Sequence, residues 1–245
     1  MKADPQLQWR LLDLQAIDTR LAQIAHRVNT LPEATALRAT TDEMGVLDSE
    51  ITRAKVALDD VRREVDKAEA DVALVRERAA RNQSRLDAGQ GTAKDLQALQ
   101  HELESLARRQ AELEEVELDV MERVEEAEKR LATVSERRAP LDARRAEEES
   151  ARDAALRELD DEKSGLERQR GDVAGGVGAE LLGLYEKIRD ATGMGAAELR
   201  ERRCEGCRLE LMAADIDRIR KTPAETVVRC EECRRILVRT AESGL

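Results

Sequence analysis

The strongest constraint on this chain is a stripe of apolar residues that advances by steps of three and four. Leu47, Ile51, Ala54, Leu58, Val61, Val65, Ala68, Val72, Val75 and Ala79 all obey it, with charges such as Arg62, Arg63, Glu64, Asp66 and Lys67 between them. That step returns to one side of a helix every two turns, so it predicts a long helix buried along a narrow seam. A second stripe uses positions 96, 99, 103, 106, 110, 113, 117, 120, 124, 127, 131, 134, 138 and 141, broken only by Gln110, Glu117 and Arg138. A third precedes both: Leu7, Leu11, Leu14, Ile17, Leu21, Ile24, Val28 and Leu31. With one Trp, one Tyr and no Phe in 245 residues, an aromatic-rich core is excluded. The stripes must therefore bury one another.

Between the stripes, the stretch from Asn82 to Thr92 holds Gly89 and Gly91, which permit a turn, and Thr92, which can cap the following helix. The expected fold is mainly α: a long antiparallel coiled-coil hairpin over residues 1–173 with its tip at about 82–92. If Ala79 faces Leu96, facing residues carry numbers totalling about 175. Arms of roughly 75 residues at ~1.5 Å per residue would run for about 110 Å. Pro32 and Pro140 predict a bend or break in both arms, since proline lacks the helical N–H and clashes with the preceding turn. The alternative is an intermolecular coiled coil, and Val116, Leu118 and Met121 are leftover apolar positions through which two copies could pair.

Charged residues make up 39% of the chain and apolar ones 41%, a balance that suits solvated helices with a seam and argues against disorder. No stretch approaches the ~18 apolar residues of a membrane helix, and MKADPQLQWRLLDLQ does not read as a signal peptide. The expected location is the cytoplasm. Acidic residues number 53 against 42 basic, a net charge of −11, but residues 181–245 alone hold 13 basic and 12 acidic residues.

The most specific chemistry lies at the C-terminus. Cys204-Glu205-Gly206-Cys207 and Cys230-Glu231-Glu232-Cys233 form two C-x2-C pairs separated by 22 residues. Two intervening residues let both sulfurs of a knuckle face one ion, and two knuckles supply the four thiolates of a closed tetrahedral zinc site. Short strands are expected at Thr226–Arg229 and Ile236–Val238, giving a β zinc ribbon over 200–245 with one structural Zn2+. A segment this short has little apolar core, so the metal should supply its folding energy.

Residues 174–199 read as a Gly-containing linker and a short helix, whose Leu181, Leu184, Tyr185 and Ile188 share a face. Trp9 and Tyr185 are expected to help fix the ribbon to the helical stalk. Four cysteines close the zinc shell, His26 and His101 lie off the seams, and neither a catalytic set nor a phosphate-cradling glycine loop is present. The expectation is a protein that is not an enzyme, with no small-molecule substrate and no membrane partner.

Two further sets of residues are candidates for partner contact. Arg202, Arg203, Arg208, Arg218, Arg220, Lys221, Arg234 and Arg235 could form a local patch for a nucleic-acid backbone, with no aromatic nearby for base stacking. Arg81, Arg85, Asp87, Lys94 and Asp95 would mark the hairpin tip for a protein partner.

The run Gly91-Thr92-Ala93-Lys94-Asp95-Leu96-Gln97-Ala98-Leu99-Gln100-His101-Glu102-Leu103 resembles bacterial coiled-coil proteins that end in a C4-type zinc ribbon. So do Leu184-Tyr185-Glu186-Lys187-Ile188-Arg189, both cysteine knuckles and Arg234-Arg235-Ile236-Leu237, although Arg234 stands where the pattern has Gly. The resemblance spans nearly the whole chain. It implies zinc ligation by Cys204, Cys207, Cys230 and Cys233, and an adaptor role, because relatives are linked to RNA binding and to a sigma factor in flagellated bacteria. Two functions follow as expectations. In the first, the ribbon binds RNA or DNA backbone while the hairpin engages protein; in the second, a protein-only transcription regulator docks on RNA polymerase or a sigma factor.

Overall fold

The computed structural model describes all 245 residues. In order, the elements are α1 (Pro5–Asn29), α2 (Pro32–Asp87), α3 (Ala93–Glu136), α4 (Arg138–Gly175), α5 (Ala179–Thr192), β1 (Ala196–Arg200), β2 (Arg203–Cys204), α6 (Ala213–Lys221), β3 (Val228–Arg229) and β4 (Ile236–Arg239). The fold is mainly α, an antiparallel coiled-coil hairpin with a small C-terminal β ribbon. Contacts divide the chain into two units: Met1–Thr35 with Ser150–Leu245, and Ala36–Glu149.

In the unit 36–149, α2 and α3 run antiparallel. Every seam position expected from Leu47 to Ala79 and from Leu96 to Val134 is buried or half-buried, while Arg62, Arg63, Glu64, Asp66 and Lys67 are exposed. Ion pairs tie the arms across the seam: Arg62 to Glu128 at 2.7 Å, Arg76 to Glu114 at 2.6 Å, Arg123 to Glu64 at 2.6 Å and Arg138 to Asp48 at 2.8 Å. Each of these pairs totals between 186 and 190 in residue number, so the register differs from the expected 175. The cause is local. Helix α2 does not stop at the expected tip but continues through Asp87, with Asn82 buried and Leu86 half-buried on the same three-four step. The turn is therefore confined to Ala88–Thr92.

Both arms are interrupted at the prolines. Helix α1 ends at Asn29, where the Thr30 N–H folds back onto the His26 and Arg27 carbonyls, and α2 opens on Pro32. The junction between α3 and α4 is Arg137, and Pro140 sits in the first turn of α4. There its missing N–H had no helical partner to lose.

In the other unit, a four-stranded sheet of order β2-β1-β4-β3 carries a core on each face. Strands β1 and β4 pair in parallel, Ala196 opposite Ile236 and Glu198 opposite Val238. Strand alternation turns Ala196, Ile236 and Val238 toward Leu11 and Leu14 of α1 and Tyr185 and Ile188 of α5. Leu199 and Leu237 face the opposite way, toward Ile216 and Ile219 of α6 and the cysteines. The first residues lengthen the sheet beside β3: the Ala3 N–H donates to Glu225 O at 2.7 Å and the Val227 N–H to Met1 O at 3.2 Å. The ribbon sheet thus begins at Ala196, inside the segment expected to be linker, and it recruits residues 1–3. Only Gly fits at 195, because a Cβ there would lie 2.5 Å from the Tyr185 ring.

Candidate metal centre

Two knuckles built alike bring the cysteines together. The Cys204 carbonyl accepts from the Arg208 N–H at 2.7 Å, and the Cys230 carbonyl from the Arg234 N–H at 2.9 Å. In return the Cys204 N–H donates to Leu209 O and the Cys230 N–H to Arg235 O, both at 3.0 Å. Each knuckle closes on an arginine in the left-handed region, φ +60° at Arg208 and +62° at Arg234. The position where the sequence lacks an expected Gly is therefore one where Gly would be unstrained.

All four Sγ atoms lie within 4.8 Å of one another. Cys204 and Cys233 are separated by 3.8 Å and Cys207 and Cys230 by 3.9 Å. Zinc–sulfur bonds of about 2.3 Å in a tetrahedron require edges of about 3.8 Å, whereas a disulfide requires ~2.05 Å. The thiols are free, and the spacing fits one zinc ion. Burial pushes the thiols of Cys204 and Cys230 up. Burial also acts on Cys233, but the Arg235 N–H and the neighbouring thiols outweigh it and bring that group down. A zinc ion held by the four sulfurs would displace the thiol protons and supply folding energy to the ribbon. Its chemistry here is structural, since four sulfurs leave no position for water or substrate.

The arginines expected to form a phosphate patch are distributed differently. Arg218 pairs with Asp215 at 3.0 Å and Glu231 at 2.7 Å, Arg220 with Asp217 at 3.2 Å, and Arg234 with Glu231 at 3.4 Å. Arg235 turns inward, donating to Gly206 O at 2.7 Å and Thr192 O at 3.2 Å, and Arg202 donates to Gly244 O at 3.2 Å. Arg203, Arg208 and Lys221 are exposed and make no side-chain hydrogen bond or ion pair. At the hairpin tip, Asp95 completes a capping box with Thr92, Asp87 accepts from Gln83 at 2.7 Å and Arg81 pairs with Glu77 at 2.5 Å. Arg85 and Lys94 remain solvated, as do His26 and His101.

Several residues that hold the ribbon were not marked by any motif. The Arg239 guanidinium donates to Thr222 O at 2.7 Å, Pro223 O at 2.8 Å, Ala224 O at 2.9 Å and Thr226 O at 2.8 Å, tying the α6–β3 loop to β4. The Trp9 indole N–H donates to Arg239 O at 2.7 Å. Tyr185 is fully buried, and its hydroxyl donates to Asp18 at 2.7 Å while Arg170 holds the other Asp18 oxygen at 2.6 Å. Gln15 Oε1 accepts from the Gly195 N–H at 2.7 Å. Trp9 and Tyr185 therefore do join α1 to the ribbon. The only sequence signal for Gln15 and Asp18 was their place beside the seam residues Leu14 and Ile17.

Residues 14–193 match the CT398-like coiled coil hairpin domain, and residues 203–237 match the C4-type zinc ribbon domain. The chain is 37% identical over 239 residues to Rv2229c of Mycobacterium tuberculosis, covering 98% of each protein. A solved Mycobacterium smegmatis structure is similar at a TM-score of 0.90 and 39% identity, covering 98% of this chain and all of that one. CT398 from Chlamydia trachomatis shares the fold at a TM-score of 0.75 and 17% identity, with 96% and 98% of the two chains covered. No helix is long and apolar enough to cross a membrane. With its hairpin, its four gathered sulfurs and these relatives, the chain belongs to the CT398-like coiled-coil hairpin family, in a form that ends in a C4-type zinc ribbon.

Proposed function

We propose that the protein is a non-enzymatic adaptor that works by holding protein partners, with zinc serving only to shape the ribbon. One observation carries this reading. Of the eight ribbon cations that could have gripped a nucleic-acid backbone, five are engaged within the chain, three by carboxylates whose field opposes phosphate. The closed sulfur shell supports a role without catalysis. RNA polymerase and its sigma factors are the partners to try first.

The competing reading, an adaptor whose ribbon binds RNA or DNA, has Arg203, Arg208 and Lys221 in its favour. A gel-shift titration of zinc-loaded protein with single-stranded RNA and with duplex DNA, at low and high salt, separates the two. No salt-sensitive shift is expected. A shift at low salt that disappears in Arg203→Glu with Arg208→Glu would overturn the protein reading in favour of nucleic acid. In parallel, purified polymerase and sigma factor are tested for a complex that survives nuclease treatment.

A further inference from the structure

The hairpin carries an acidic outward face on α3 with exposed apolar residues in it. Residues 112–128 of α3 contain nine acidic side chains and a single base, Arg123. In their midst Leu118 is 62% exposed and Met121 48% exposed. Three residues apart, these two lie side by side on the helix, and Glu115, Glu122 and Glu125 share that face with them. Glu114 and Glu128 are neutralised across the seam by Arg76 and Arg62. Glu115, Asp119, Glu122 and Glu126 are exposed and have no ion pair or hydrogen bond. Glu125, beside the same apolar pair, is engaged by Lys129 at 3.6 Å, whereas Glu115 and Glu122 next to it are left open.

We infer that this α3 face, Leu118 and Met121 beside an open rim of Glu115 and Glu122, docks a cationic amphipathic helix of a partner protein. The assignment rests on the adaptor reading above and supplies the chemistry of the partner. The apolar pair offers buried area, and the unpaired carboxylates of Glu115 and Glu122 select positive charge and repel negative charge. The same rim turns away nucleic acid and anionic lipid, both of which present phosphates. A second copy is disfavoured too, because pairing this face with itself sets carboxylate against carboxylate.

The probe is a synthetic helical peptide of about 18 residues with leucines along one face and lysines elsewhere. It is titrated into full-length, zinc-loaded protein by calorimetry and by amide chemical shifts. Binding is expected, with shifts centred on residues 111–126 and an affinity that falls as salt rises. Leu118→Ser with Met121→Ser should weaken it about tenfold or more, by loss of buried apolar area. Glu115→Lys with Glu122→Lys, a change confined to exposed side chains, should weaken it comparably.

Absence of binding, or binding untouched by both variants, overturns the inference. So does equal affinity for a peptide whose leucines are serines, which would reveal charge attraction alone. Self-association in sedimentation that vanishes in the Leu118→Ser, Met121→Ser variant would assign the face to a second copy instead. If purified polymerase or sigma factor binds that variant as well as it binds the natural chain, this face is wrong while the adaptor reading stands. If the peptide binds here and a nucleic-acid shift also appears, the face stands and the protein-only reading falls.

Discussion

The four zinc ligands were legible because a cysteine pattern states its own geometry, but the residues that hold those ligands were not. Arg208 and Arg234 close the two knuckles in a conformation that costs an ordinary residue about 1–2 kcal/mol, signalled at position 234 by the expected Gly and at Arg208 by nothing. Arg234 pairs only with Glu231, at 3.4 Å and at the surface, so little is lost by removing its side chain. Its carbonyl, which accepts from Arg229 Nε at 2.7 Å, survives substitution. Arg234→Gly should therefore stabilise the zinc-loaded ribbon by roughly 1 kcal/mol, seen as a higher denaturant midpoint for ribbon amides with unchanged zinc stoichiometry. Arg239 is the opposite case. Nothing in the sequence sets it apart from the other ribbon arginines, yet its guanidinium is spent on loop carbonyls between Thr222 and Thr226. Arg239→Met keeps the apolar stem and strands those acceptors, so it should cost about 2–3 kcal/mol and weaken zinc retention against a chelator. Retention equal to that of the unmodified chain would mean that the loop holds itself.

Among the elements, the helices were readable because the three-four step persists over many turns, and their ends were not. The step itself continued past Ala79 through Asn82 and Leu86, but a polar Asn in a seam and the following glycines pointed to an early turn. β1, Ala-Ala-Glu-Leu-Arg, has a composition that suits a helix equally well, and becomes a strand only because β4, nearly forty residues later, pairs with it. The start of α3 was readable to the residue: Thr92 Oγ1 receives the Asp95 N–H at 3.3 Å and Asp95 Oδ2 receives the Thr92 N–H at 2.8 Å. Thr92→Ala should cost about 1 kcal/mol, expressed as faster amide exchange in the first turn of α3 rather than along the whole hairpin. The hydrogen bonds from the Thr92 hydroxyl and N–H hold the Asp95 carboxyl below its ordinary value of 3.8. A group depressed on folding contributes stability above the unfolded value and loses it as pH falls through the folded one. Protection of the Thr92 amide should thus be flat above about pH 4 and collapse below it, and Asp95→Asn should flatten that dependence.

For the molecule as a whole, the two faces of the ribbon sheet predict that zinc loss is graded. On one face Ala196, Ile236 and Val238 pack on Leu11, Leu14, Tyr185 and Ile188, an apolar core that contains no cysteine. On the other, Leu199, Leu237, Ile216 and Ile219 pack around Cys204 and Cys230, so this core closes only when the sulfurs are drawn together. Chelation should release β2, α6 and β3 while β1 and β4 stay against α1 and α5, braced by the Gln15 bond to Gly195. Ellipticity should change little, because the long helices dominate the signal and α2 with α3 closes its seam without metal. Hydrogen exchange reads the difference directly. Protection is expected to vanish over residues 203–229 and to persist at Ala196, Ala197 and Ile236 through Val238. Trp9, the single tryptophan, gives a second readout, because its indole N–H rests on the Arg239 carbonyl, and Arg239 in turn grips the loop that melts. Its indole resonance should shift on chelation and return with zinc. Loss of protection across all four strands together would mean that the helical side of the sheet depends on the metal side. Undiminished protection at residues 203–229 would mean that sulfur ligation adds no folding energy, against the expectation drawn from so small a core.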